Sequence, residues 1–525
     1  MSEKLIQALL SPVSYPHPTL NMRLVETHIS WVILTGEFAY KIKKPVNFGF
    51  LDFSTLALRK YYCDEELRLN SRFSTGLYLA VVPITGSEDQ PVVDGCRDND
   101  GDVLDYAVKM RQFDQGELLE QLALTNALGI DDISSLAKKL ADFHLHGAAR
   151  LPHGERELGS VESVVSATLE NFEQIAPRLT TTEQRLALAS LRQWSVQQLA
   201  ELQDVLVQRR AQGFVRECHG DLHLRNIARL DGIITFFDCI EFNAQFRWID
   251  VQSELAFLLM DMEEKQLQGL SNQLLNTWLE YTGDYAGLAV LRFYKVYRAM
   301  VRAKVMVLKV DASDPSSPEA GKLWQEYATY IRLAQSCCQP HQAFLGLMHG
   351  VSGTGKSTVA ATLASEFNAI RIRSDVERKR LFGLAPDARS EDEEKLQLYS
   401  EAASIKTFAA LETLAKTLLN LGYPVLVDAT FIAARWRRLF QQLANVLQLP
   451  FVILDCQATQ ATILQRLALR QATRHDASEA DTDVMRRQLA SVEPFLPEEQ
   501  MQVLVIDTEQ TVNAGALRKF LEKSR

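Results

Sequence analysis

The spacing of apolar and polar positions changes character along the chain, and each change predicts a different kind of element. After a short helix-like segment and a proline-rich turn (Ser11–Pro18), the stretches Trp31–Thr35 and Phe38–Lys43 flank Gly36-Glu37 and predict a β-hairpin. Leu56–Phe73 carries the period of an amphipathic helix. Tyr78–Ile84 and Tyr106–Met110 follow as strands, separated by an acidic Gly/Asp loop, Asp94–Asp105. From Glu117 to Leu206 the pattern is helical, with long helices at Ser160–Ile175 and Thr182–Val207. Helices return at Val290–Val310 and Lys322–Cys338. Beyond Gln339-Pro340-His341 short apolar runs alternate with helical segments: Phe344–His349, Ile370–Arg373, Pro424–Asp428, Phe451–Cys456 and Gln502–Asp507. That alternation predicts a parallel, doubly wound α/β sheet. The expected organisation is therefore two domains, an α+β domain over residues 1–338 and an α/β domain over residues 342–525.

Composition narrows the class without changing this outline. The 525 residues are 47% hydrophobic and 23% charged, ordinary values for globular domains with their own cores. A formal net charge of −10 argues against a protein that coats nucleic acid or anionic membrane. Seven cysteines without CxxC spacing suit a reducing compartment. No apolar run approaches the roughly 18 residues that span a bilayer, and the N-terminus lacks a signal-peptide layout. A cytoplasmic location is the expectation. Asp142, His144 and His146 do not share one helical face, so their spacing does not make a metal site.

The most specific motif is GVSGTGKST, directly after the apolar run Phe344–His349. Gly350, Gly355, Lys356 and Ser357 are in P-loop register, with Ser352, Gly353 and Thr354 in the loop and Thr358 in the helix that follows. Glycines let backbone N–H groups fold around phosphate oxygens at a helix N-terminus, Lys356 reaches the β- and γ-phosphates, and Ser357 ligates Mg²⁺. Asp428 ends a strand at the ligand edge of the sheet and is the expected second metal partner. At the same edge, Asp375 and Arg378 form D-x-x-R; Asp375 is the expected base for an acceptor hydroxyl, with helix capping as its structural alternative. Arg466, Arg470 and Arg474 recur at helical spacing before a polar loop, which resembles the arginine-bearing lid of nucleoside-monophosphate-kinase-type folds. Arg470 is the nucleotide-binding candidate among them. This half is similar to P-loop kinases of the zeta-toxin and polynucleotide-kinase type.

A second centre is HGDLHLRN, His219–Asn226, followed by Asp238 at the end of GIITFFD. Phosphoryl transfer from Mg·ATP needs a base to orient the acceptor hydroxyl and oxygen ligands for the metal. Asp221 can be that base, and Asn226 with Asp238 can hold the metal. The motif resembles the catalytic loop of the kinase fold in its aminoglycoside phosphotransferase-like branch, which carries HGD where protein kinases carry HRD. The resemblance implies a bilobal α+β fold and a strand lysine that reaches the ATP phosphates. It selects Lys41, with Lys43 on the same face of the strand as an alternative. It also implies a helix glutamate paired with that lysine, Glu66 with Glu65 in reserve, and a hinge at Met110–Phe113. Asp250 is expected to play a structural part at the start of the helix that braces the catalytic loop.

Together the halves resemble bacterial fusions described as bifunctional phosphotransferase/ATP-binding proteins. That implies ATP and Mg²⁺ as cofactors and a small-molecule hydroxyl acceptor as partner. Two other readings compete with a bifunctional small-molecule kinase. One makes the second half a nucleic-acid 5′-hydroxyl kinase, drawing on D-x-x-R and on Arg371/Arg373/Arg378/Arg380 and Arg435/Arg437/Arg438. The other makes one half an ATP-binding regulator of the other.

Overall fold

The computed structural model describes residues 3–49, 51–74, 76–94, 103–311, 314, 317–340, 342–388, 397–473 and 482–523, without the side chains of 470–473. The chain divides into two compact units, Met1–Ser135 with Asp142–Asp261 and Leu136–Ala141 with Met262–Arg525. The boundary expected at 339–341 falls inside the second of these.

The first unit opens with six antiparallel strands in the order β1-β2-β3-β6-β4-β5. They are β1 (Arg23–Glu26), β2 (Ser30–Leu34), β3 (Phe38–Lys43), β4 (Tyr78–Gly86), β5 (Pro91–Val93) and β6 (Asp105–Arg111). The predicted hairpin is β2–β3, and Lys41 of β3 pairs in register with Val108 of β6. Buried Ile33, Tyr40, Ile42, Val82 and Ala107 form the core on one side of this sheet. The helix Leu56–Asn70 packs on the other, starting at Thr55, whose hydroxyl accepts from the Leu58 N–H at 3.2 Å. A mainly helical lobe follows. It holds two small antiparallel pairs: β7 (Val215–Glu217) with β10 (Trp248–Asp250), and β8 (Ile227–Leu230) with β9 (Ile233–Phe236). The stretch His219–Asn226 bridges β7 and β8, and Asp238 lies just past β9. This is the bilobal, protein-kinase-like arrangement.

The second unit contains a wholly parallel sheet in the order β12-β13-β11-β14-β15. Its strands are β11 (Leu345–His349), β12 (Ile370–Arg373), β13 (Val425–Asp428), β14 (Phe451–Gln457) and β15 (Val503–Asp507), near the five expected runs. β11, β13 and β14 lie inside the sheet and read as near-continuous apolar runs, as strands covered on both faces must. β12 is an edge strand, and the helix Gln268–Thr282 covers it. Asn276 accepts from the Arg371 N–H at 2.7 Å, and Asn276 and Asn272 donate to Ala369 O at 3.0 and 3.1 Å. Two carboxamides thus satisfy edge groups that a further strand would otherwise take.

Candidate active sites

In the first unit, residues far apart in sequence converge around Glu66. Lys41 Nζ donates to Glu66 Oε1 and Lys43 Nζ to Glu66 Oε2, both at 2.7 Å. Lys41 also pairs with Asp238, and Lys43 with Glu241. Both lysines of the strand therefore reach the helix glutamate. They differ in access: Lys43 is fully buried, whereas the carboxylate it does not touch, Asp238, is 47% exposed and paired with Lys41. Lys41 is the lysine at the open side, and Lys43 is an internal counter-charge. Glu65 turns away to Arg68 at 2.8 Å and Arg247 at 3.4 Å. Burial alone would raise the Glu66 carboxyl, but the two ammonium groups hold it down at about 2. Burial pushes Glu241 the other way, upward.

Asp221 and Asn226 face each other across the loop. The Asn226 amide donates to Asp221 O at 3.0 Å and to Asp221 Oδ2 at 3.3 Å. His223 Nε2 lies 3.4 Å from the same Oδ2. The loop's path requires its glycine. Gly220 has φ +89°, and a Cβ there would sit 2.7 Å from Phe246 O.

His219 pins the loop without contributing charge. Its Nε2–H donates to Phe237 O at 2.8 Å, which leaves Nδ1 to accept from the Asp221 N–H at 3.3 Å. Burial lowers its pKa and keeps it neutral. Asp250 is structural, as expected: it holds Arg209 at 2.7 and 2.9 Å and caps Gln252 N at 2.9 Å. The bracing itself comes one helical turn later. Glu254 Oε1 accepts from the N–H groups of His219 (2.5 Å) and Gly220 (2.9 Å), and its Oε2 accepts from His144 at 2.8 Å. Sequence reading missed Glu254, whose partners all come from other elements. His144 is thus a buried partner of Glu254. Of the expected hinge Met110–Phe113, Met110 and Arg111 are the last residues of β6, and just past them Gln112 N donates to Glu37 O at 2.9 Å.

In the second unit, β11 leads into the P-loop and then the helix Lys356–Phe367. Gly350, Gly353 and Gly355 all have positive φ, of +130°, +90° and +92°. A Cβ on Gly350 would meet Cys456 O at 2.8 Å and one on Gly353 would meet Ile463 at 2.8 Å. Lys356 Nζ curls over the loop to Val351 O at 2.7 Å, and Thr354 Oγ1 donates to the same carbonyl at 2.9 Å. The Ser352 N–H donates to Gln488 Oε1 at 2.7 Å. Ser357 and Thr358 fall in the first helical turn, with Thr358 exposed.

Asp428 ends β13 and is buried, yet its Oδ2 accepts no hydrogen bond among the described residues. The nearest cation is Arg373 Nε at 3.9 Å. Asp375 and Arg378 meet at 3.3 Å, and Arg378 Nε is buried without a hydrogen-bond acceptor among the described residues. Asp375 is the second residue of the helix Ser374–Leu381, and the cap position belongs to Arg373, so the capping alternative does not describe it. Arg466 is no free lid cation: it donates to Thr508 O at 2.7 Å, Thr508 Oγ1 at 2.9 Å and Thr354 O at 3.3 Å. The expectation for Arg470 falls on a side chain outside the described residues, and Arg474 lies outside them too. Sequence reading also missed buried His349, whose Nδ1 lies 2.6 Å from Asp455 Oδ1, and Glu280, which binds Arg371 at 2.6 Å and Arg373 at 3.3 Å.

The arginine clusters that suggested a nucleic-acid end kinase are matched by acids. Arg380 pairs with Glu377 at 3.0 Å, Arg435 with Glu401 at 3.3 Å, Arg437 with Glu499 at 2.9 Å and Arg438 with Glu498 at 3.8 Å.

A family model described as an AAA domain matches residues 345–495. Uncharacterized proteins of Mycobacterium tuberculosis (strain ATCC 25618 / H37Rv) and Mycobacterium bovis are each 27% identical over 464 residues, which is 88% of this chain and 88% of the relative. A choline kinase from Cryptosporidium parvum is similar over 63% of this chain and 95% of its own, at 10% identity and a TM-score of 0.39. A gluconokinase from Sinorhizobium meliloti is similar over 35% of this chain and 93% of its own, at 17% identity and a TM-score of 0.25. The APS kinase of Mycobacterium tuberculosis is similar over 35% of this chain and 99% of its own, at 20% identity and a TM-score of 0.26. The chain joins a bilobal, protein-kinase-like fold to a P-loop domain, residues 345–495 of which match the AAA-domain model.

Proposed function

We propose that the protein is an ATP-dependent phosphotransferase with two nucleotide sites, each passing the γ-phosphate of Mg·ATP to a hydroxyl of a small molecule. The two sites are assigned to residues 1–338 and 342–525. The observation that carries the reading is convergence: Lys41, Glu66 and Asp238 join one charge network, and Asp221 and Asn226 face each other on the adjoining loop. A P-loop with three positive-φ glycines supports the second site.

Mg²⁺ suits the donors present. Carboxylate and amide oxygens are hard ligands. Asp428 offers a buried oxygen that accepts no hydrogen bond among the described residues, and Asp238 offers an accessible carboxylate. Asn226 and Asp238 would hold the metal in the first site, Ser357 and Asp428 in the second. When bound, the metal neutralises phosphate charge and fixes its orientation. The protein's own groups do the rest. Asp221 and Asp375 orient an acceptor hydroxyl and take its proton, Lys41 and Lys356 bind phosphate oxygens, and Arg378 with its unfilled donor steadies an acceptor or transferring anion. The internal pairing of the basic clusters favours a small acceptor over a nucleic-acid strand.

The test is Mg·ATP turnover against a panel of small hydroxyl compounds and an oligonucleotide with a free 5′-hydroxyl. Acceptor-dependent turnover that Asp221→Asn and Lys356→Ala each remove in part supports two kinases. Turnover on the oligonucleotide alone would overturn the small-molecule reading.

A further inference from the structure

The residue sequence reading passed over, Glu280, sits where the second site needs charge kept in order. It is carried by the helix Gln268–Thr282, upstream of the residues matched by the AAA-domain model. Its carboxylate is 5% exposed and shared between two guanidinium groups of the edge strand β12, Arg371 at 2.6 Å and Arg373 at 3.3 Å. Arg371 NH1 also donates to Ser357 O in the P-loop helix at 3.2 Å. Arg373 and Asp428 are register partners on neighbouring strands, yet Arg373 Nε stops 3.9 Å from Asp428 Oδ2. That oxygen is buried and accepts no hydrogen bond among the described residues. A buried carboxylate oxygen beside an arginine ordinarily takes a direct hydrogen bond, because a buried unsatisfied acceptor is costly.

We infer that Glu280 is a positioning residue that holds Arg373 back from Asp428 and so keeps the Asp428 carboxylate available to a divalent cation. The inference rests on the proposed reading of the P-loop as a Mg·nucleotide site. Glu280 and Asp428 compete for one guanidinium. With Glu280 ionised, its Oε2 holds the NH1 end of Arg373. With that charge removed, Arg373 loses the partner at its NH1 end and can close the 3.9 Å gap to Asp428 Oδ2, and an ion pair there excludes a metal from the same oxygen. The helix anchorage makes the arrangement rigid, since Asn272 and Asn276 tie the same helix to β12.

The experiment uses the full chain carrying Lys41→Met, so that binding of a fluorescent ADP reports on the P-loop, with free Mg²⁺ titrated against EDTA. Glu280→Gln is expected to raise the Mg²⁺ concentration for half-maximal binding by about tenfold while metal-free binding is unchanged. Arg373→Gln alone should lower that midpoint, and Glu280→Gln/Arg373→Gln should return it to within about threefold of the starting protein. An unmoved midpoint in Glu280→Gln overturns the inference, and so does a double variant that stays shifted, since Glu280 would then act only as packing. Should Glu280→Gln not fold, Arg373→Gln decides: a lower midpoint supports the competition and an equal or higher one rejects it. Lys356→Ala separates the two levels. If it leaves ADP binding intact, the P-loop reading itself fails; if it abolishes binding, any failure belongs to Glu280 alone.

Discussion

At Asp221 the carboxylate is held by an asparagine amide and left partly exposed, which suits a base and not a buried structural acid. Asp221→Asn keeps shape and removes basicity. Acceptor-dependent turnover at the first site should fall by about a hundredfold or more with Mg·ATP affinity nearly unchanged, measured by steady-state kinetics and calorimetry. Turnover at the wild-type rate would remove Asp221 from the chemistry. His219 makes a prediction about pH. Its folded pKa lies below the ordinary value of 6.5, so between that value and the lower folded one the unfolded chain binds the extra proton. Its contribution to stability is therefore complete above pH 6.5 and declines as pH falls below it. Thermal unfolding of His219→Gln should show a shallower loss of Tm between pH 7 and 5.5 than the wild type. Glu66 acts in a lower window: with its carboxyl held down at about 2, its share of stability persists until pH falls through the ordinary carboxylate value of 4.5 toward 2.

Among the elements, the loop His219–Asn226 is shaped by a glycine and a distant helix. Gly220→Ala places a Cβ against Phe246 O in a backbone conformation that L-residues rarely adopt, at a cost of about 1–3 kcal/mol. Glu254→Gln keeps one acceptor but loses the charge that two loop N–H groups and His144 share. We expect a folded protein with kcat at the first site lowered about tenfold, read against an unchanged KM for ATP. Much of this was legible beforehand. The hairpin of Trp31–Lys43, the strand before the P-loop and the motif residues declare themselves through period and spacing. What escaped did so for physical reasons. β5 has three residues and β1 four, too short for a periodic signal, and β8 is visible only as the partner of β9. Glu254 and Glu280 look like ordinary helix acids because what defines them, buried N–H groups and guanidiniums, is contributed by remote sequence. The Lys41/Lys43 ambiguity had the same origin: both face one way, and only the positions of Asp238 and Glu241 separate their duties.

Over the whole molecule, the long segment of the second unit begins at Met262, whereas the stretch matched as an AAA domain begins at residue 345. A fragment spanning 342–525 leaves the β12 edge and the Arg371/Arg373 pair without Asn272, Asn276 and Glu280. It should be aggregation-prone or several degrees lower in Tm than a fragment beginning at 262, checked by light scattering and calorimetry. Lys356→Ala in the full chain should leave Asp221-dependent turnover at the wild-type rate, and loss of both activities would show that the sites are coupled. The two asparagines that finish the β12 edge also bear on descent. A gene segment copied from the P-loop onward would carry every nucleotide-binding residue and still yield a sheet with a raw border. Lineages that exchanged only that segment would have had to invent a new cover for it. The packing unit at this end of the protein is longer than its recognisable signature, and a recombination joint that spares the β12 edge is expected before Gln268 and not at the visible seam.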